Sequence, residues 1–89
     1  MGTFHHDKGE LHGITVVVDT KGSKAYIGRC DTMDVMQIIL NDADEHDETG
    51  GTSKQEYIKK AAMLGVWKKH DRIAIPSTEI ASVTRLGEV

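Results

Sequence analysis

Trp67 is the only tryptophan of the chain, followed at once by Lys68, Lys69 and His70, with Arg72 close behind. An indole can stack on a nucleobase, and ammonium and guanidinium groups hold phosphates. The stretch therefore carries the parts of a single-stranded nucleic-acid contact. A single Trp placed after a helix more often covers a core or an interface. Between Asp42 and Glu48, five of seven residues are carboxylates, and His46 sits among them. Carboxylate and imidazole are cation ligands. The stretch lacks the glycine and regular spacing of a calcium loop, so it reads as a solvated acidic loop. His5, His6, Asp7 and His12 offer a zinc set on an arm whose adjacent histidines more often face water. No metal and no cofactor is assigned. Ser77-Thr78-Glu79 is a turn with no His and Asp placed beside it by motif. No P-loop, G-x-G-x-x-G or C-x-x-C occurs. The expectation is a protein that is not an enzyme.

The elements that must position these groups are short. Eighty-nine residues allow one domain, 1–89, with a thin core that gains from oligomerisation. Cys30 is the only cysteine, so no disulfide forms within the chain; its place in a strand suggests a small buried apolar residue. A lone thiol, no secretory leader and no apolar run near the roughly 18 residues of a membrane span give a cytoplasmic expectation with no membrane contact. With 11 Lys and Arg against 14 Asp and Glu, the net charge is −3. That argues against a nonspecific grip on phosphate backbones, though Lys54, Lys59, Lys60, Lys68, Lys69, His70 and Arg72 gather in the second half.

Residues 1–12 read as a flexible arm. Ile14 to Asp19 is β-branched and reads as a first strand. Gly22 is expected to supply a positive φ to a hairpin turn, and Lys24 to Asp31 follows as the second strand. Gly28 inside it marks a sharp bend or a close backbone approach. Asp31 to Asp34 reads as a turn, Val35 to Asn41 as a third, central strand, and Asp42 to Thr52 as the acidic loop. The period then changes. Thr52 or Ser53 is a good N-cap with Gln55 or Glu56 three positions on, and Tyr57, Ile58, Ala61, Ala62 and Leu64 fall at helical spacing. The spacing predicts a helix over Ser53–Leu64 within an inserted segment 53–68, ended by Gly65. Arg72 to Ile75 and Ile80 to Leu86 read as the last two strands, around a turn begun by Pro76. The expected architecture is mostly β with one helix: a five-stranded, strongly bent barrel with a helical insertion between strands 3 and 4.

This order resembles the Sm and Sm-like superfamily. Gly13, Val16, Val18, Gly22, Tyr26, Gly28, Asp34, Met36, Leu40, Asp42, Ala43 and Glu45 match its first signature. Ile75, Ile80 and Val83 keep the aliphatic spacing of its second. The helical segment falls in that superfamily's most variable loop. The resemblance implies a bent barrel that joins copies by strand-edge pairing, here through Ile73, Ile75, Ile80 and Val83, and that often binds uridine-rich RNA. The departures are specific. Gln37 stands where the superfamily has the base-holding Asn, Val35 where it has an aromatic or His, and Pro76-Ser77 where it has Arg-Gly. Lys69-His70 looks like the Lys-His pair of the bacterial RNA-chaperone branch but is out of register with Ile75.

The resemblance thus implies a self-assembling small barrel with single-stranded RNA at a non-standard site made of Asp34, Gln37, Trp67, Lys68, Lys69 and Arg72. Two alternatives stand beside it. One is a structural or protein-interaction module that has lost RNA binding and meets a partner through the Ser53–Leu64 helix. The other is a small metal- or ligand-binding domain. An SH3-like barrel with another partner fits the same strand pattern.

Overall fold

The structure, a computed structural model, describes residues 11–89. Five strands and one helix follow in the order β1 (Thr15–Thr20), β2 (Lys24–Met33), β3 (Gln37–Asp47), α1 (Lys54–Leu64), β4 (His70–Pro76) and β5 (Ile80–Arg85). Single 3₁₀ turns cover Glu48–Gly50, Ser77–Glu79 and Leu86–Glu88. All pairings are antiparallel, in the spatial order β4-β3-β2-β1-β5. The sheet does not close: β4 and β5 each pair with one neighbour. The predicted architecture of five strands with a helix between the third and fourth is the observed one.

The sheet curls around one core. Val16 and Val18 of β1, Tyr26 and Cys30 of β2, Ile38, Leu40 and Ala43 of β3, and Ile75 of β4 bury together. Ile73 from one end strand and Ile80 and Val83 from the other pack on the same cluster. Only a strongly bent sheet brings side chains of both end strands to one centre. Register shifts supply the bend, because an extra residue in one strand kinks it and raises its twist. The clearest lies where Ile27 pairs with Asp44 and Arg29 with Asn41, so Gly28 alone faces Asp42 and Ala43. Asp42 takes φ +51° there, a left-handed conformation that Asp tolerates better than most residues. A Cβ on Gly28 would lie 2.8 Å from the Ala43 Cβ. Gly28 is thus a close-approach glycine, as its place inside a strand suggests.

The opposite face of the sheet carries α1. Val17, which points away from Val16 and Val18, and Ile27 bury against Ala61, with Tyr57, Ile58, Val66 and Leu86 around them. Ser53 caps the helix by accepting a hydrogen bond from the Glu56 N–H at 3.1 Å. Gly65 ends it at φ +97°, donating its N–H to the Ala61 carbonyl. No described helix is long and apolar enough to cross a membrane.

Several boundaries differ from the sequence reading. β2 runs on through Met33, so the turn is Asp34–Met36 rather than 31–34. β3 starts at Gln37 rather than Val35 and continues to Asp47, so most of the expected acidic loop is strand. It is an internal strand beside β4; the middle strand is β2. β4 begins at His70 instead of Arg72. The helix, by contrast, ends at Leu64 as the spacing predicts, where Gly65 takes the conformation that breaks it. Among the described residues the positive-φ glycines are Gly13, Gly51 and Gly65, and Gly22 is not one of them. Most of the expected arm, with His5 and His6, lies outside the described residues. Leu11 packs on the core, and His12 Nδ1 donates to the Asp31 carbonyl at 2.6 Å.

Candidate nucleic-acid interface

Two turns meet at one pole of the barrel. In the β2–β3 turn, Asp34 folds the backbone around its own carboxylate: Oδ1 accepts from the N–H of Met36 at 2.8 Å and of Gln37 at 3.0 Å. Ser77 then ties the β4–β5 turn to it. Its N–H donates to the Met36 carbonyl at 2.9 Å and its hydroxyl to the Val35 carbonyl at 2.8 Å. Pro76 makes this possible by ending β4 opposite Gln37. With their carbonyls held inward, Val35 and Met36 project their side chains into solvent, 81% and 71% exposed. Gln37 is half-buried beside them. A groove of about 650 Å³ runs from this pole along β5, lined by Met33, Asp34, Gln37, Ser77, Ile80 and Val83 among others.

The sequence-derived site residues fall into separate places. Asp34 and Gln37 share the pole. Arg72 does not reach it: it sits opposite Asn41, four residues along β3 from Gln37, about 13 Å by strand rise. Its guanidinium donates to Asn41 Oδ1 and Asp31 Oδ2, both at 3.0 Å. Lys68 lies 2.8 Å from Asp71 and 3.8 Å from Asp42. Hydrogen bonding and charge at Asp71 hold the Lys68 ammonium above its ordinary pKa, and the same contact holds Asp71 below the usual carboxylate range. Lys69 donates to the Glu45 carbonyl at 3.0 Å. The basic stretch is stitched onto the acidic half of β3 and is not an open phosphate site. Trp67 is 80% exposed and covers no part of this core.

The expected interface residues all face the core of their own chain, Ile75 fully, at 2% exposed, and Ile73, Ile80 and Val83 in part. Alternation leaves the outward positions of β4 and β5 to other residues. The outer backbone edges of both end strands have no neighbouring strand among the described residues.

Two features had no signal in the sequence. Lys54, at the start of α1, reaches under the β1–β2 turn. Its ammonium donates to Asp19 Oδ1 at 2.7 Å and to the carbonyls of Thr20 and Gly22 at 2.9 and 2.6 Å. Tyr57 stacks on His46 with ring centroids 4.4 Å apart and donates its hydroxyl to Asp44 Oδ2 at 2.9 Å. Burial and the Asp44 carboxylate push the Tyr57 hydroxyl far above its ordinary pKa, so it stays a donor. Asp44 is itself buried. Beside it, Glu45 joins Lys24 and His70, each at 2.9 Å, and hydrogen bonds from both hold its carboxyl below the usual range. These carboxylates serve the fold, and no described cluster of His, Cys, Asp or Glu is arranged to hold a metal. Burial raises the Cys30 thiol pKa, which keeps it un-ionised and unreactive.

No family model matches the sequence, and no curated protein matches it. Solved structures do. The Sm protein of Pyrococcus abyssii, solved in complex with a uridine heptamer, superposes with a TM-score of 0.60 at 18% identity over 86% of this chain and 89% of that one. A chain of the NatC complex bound to CoA superposes with a TM-score of 0.61 at 13% identity over 93% and 88%. At such identities the likeness is one of fold, and the fold of this chain is Sm-like.

Proposed function

We propose that this chain is a non-enzymatic, cytoplasmic Sm-like assembly module that joins copies edge to edge and offers its turn pole to single-stranded RNA. The observation that carries the reading is the bonding of the β2–β3 turn to the β4–β5 turn through Ser77, which builds one rigid polar and apolar surface from separate parts of the chain. The archaeal Sm protein of the same fold was solved with a uridine heptamer, which supports RNA as the ligand class. The open edges of β4 and β5 support assembly, since unpaired edges are templates for further strands.

The chemistry of the pole sets the kind of binding. Gln37 brings an amide donor and acceptor to a base edge, and Met36 and Val35 bring apolar surface. Asp34 is committed to its own turn, and Arg72 is paired elsewhere. Binding therefore rests on base contacts more than on phosphates, and its salt dependence is shallow.

The test is native mass measured with and without a short oligouridine, at low and at moderate salt. A closed multimer that gains RNA with little loss at the higher salt supports the reading. A monomer that ignores RNA at both salts overturns it.

A further inference from the structure

We propose that Met63, Leu64 and Trp67, with Lys59 and Lys60, form a docking surface for an acidic, amphipathic segment of another protein. The three apolar side chains are 80%, 79% and 80% exposed and lie within one short stretch. Their exposure has a local cause. Tyr57, Ile58 and Ala61 take the sheet-facing side of α1, and Gly65 then turns the chain so that Val66 returns to the same apolar cluster. Met63 and Leu64 are left on the outward side, and Trp67 follows Val66 back out. Large apolar side chains exposed within five residues of one another in the chain mark an interaction site, and Trp and Met are enriched at the centres of interfaces.

Charge selects the occupant. Lys59 and Lys60 stand one helical turn before Met63 and Leu64 on the same exposed side. They form no ion pair among the described residues, whereas Lys54, Lys68, Lys69 and Arg72 all meet carboxylates of this chain. The surface is therefore apolar with an unspent positive rim, and its complement is apolar with a negative one. Nucleic acid fits less well. Trp67 offers one ring to stack a base but Met63 and Leu64 offer none, and two lysines are a sparse phosphate track. A second copy also fits poorly, because Asp42, Asp44 and Glu45 of its β3 are already paired with its own Lys68, Lys69 and His70.

Trp67 is the only tryptophan, so its emission reports the site directly. The probe is a displayed library of random peptides of about 16 residues, roughly four helical turns. Enriched peptides are expected to combine aliphatic or aromatic anchors with carboxylates and to shift Trp67 emission to the blue. Their affinity is expected to fall about tenfold or more in Met63→Ser/Leu64→Ser and in Lys59→Glu/Lys60→Glu, with unchanged melting temperatures. Peptides without an acidic bias, or equal binding to the charge-reversed variant, would overturn the proposal. So would quenching of Trp67 by oligouridine, which would make the occupant a nucleic acid. A blue shift that grows with protein concentration alone would overturn it in favour of a second copy. None of these outcomes depends on whether RNA binds at the turn pole.

Discussion

On the inner face of the bent sheet, side chains from all five strands meet, and Val16, Val18, Ile38 and Leu40 lose all contact with water. On the outer face, α1 contributes one buried side chain, Ala61, and rests otherwise on partly buried residues and a few polar ties. The inner face is held by packing, whose strength scales with area and has no direction. The outer face has a smaller apolar cluster, Val17, Ile27 and Ala61, and adds two directional ties, Lys54 on the β1–β2 turn and Tyr57 on Asp44. An element attached this way is free to present a surface, and α1 presents Met63 and Leu64. The difference separates what makes the barrel from what the barrel carries.

Truncation gives the largest contrast. Leu40→Ala on the inner face is expected to cost about 2–5 kcal/mol, the range for emptying a fully buried aliphatic site. Ile58→Ala on the outer face, where the side chain is already partly wet, is expected to cost less than half as much. Urea unfolding measures both. Equal losses would mean that α1 is as much a part of the core as β3. The bulge tests the inner face from the opposite direction, by overfilling. Gly28→Ala brings a methyl to 2.8 Å from the Ala43 Cβ and 3.0 Å from its Cα. Backbone cannot move aside as a side-chain tip does, so a loss of about 1–3 kcal/mol is expected.

The same bulge explains what the sequence hid. Ile38 and Leu40 alternate inward, and a strict period of two would next bury Asp42. The bulge at Asp42 turns Ala43 inward instead. Without that shift the acidic half of β3 looks incompatible with a strand, since Asp and Glu are poor strand formers, and a loop is the natural reading. Where alternation is unbroken, as in β1, or where a residue acts locally, as with Ser53, Gly28 and Gly65, sequence and structure agree. At the candidate site, the resemblance and not a local pattern names Asp34 and Gln37, and the turn that holds them lies at Asp34–Met36, past the 31–34 that composition suggests. The pairing of Lys69 with the Glu45 carbonyl and of Arg72 with Asp31 spans 24 and 41 residues. Pairing over such a distance depends on β2, β3 and β4 lying side by side, and no local pattern announces it.

A single hydroxyl tests the outer face. Tyr57→Phe keeps the ring on His46 but removes the donor to Asp44 Oδ2. Asp44 is buried, so it loses a partner that water replaces poorly, and a cost of about 1–3 kcal/mol is expected. The effect should be local. Amide exchange of α1 should quicken more than that of β1 and β2. Uniform quickening would show that the helix and the barrel open as one unit.

The smallest effect concerns charge at the β2–β3–β4 junction. Glu45 lies between Lys24 and His70, and hydrogen bonds from both hold its carboxyl below its usual range. A carboxyl whose folded pKa is depressed binds its proton more readily in the unfolded chain. The stability it contributes is therefore complete above the ordinary Glu value of about 4.3 and is lost as pH falls through the lower, folded value. Glu45→Gln removes that dependence, so its stability should fall less steeply than the wild type's below about pH 4.3 and differ little in slope above it. Because the group is partly open to solvent, added salt should shrink the difference. Urea midpoints across the acid range measure it. An unchanged acid slope in the variant would mean that the ion pairs along the acidic half of β3 set the register of β4 without adding to stability. Directional contacts on the strand edge would then specify the fold while the inner face alone supports it.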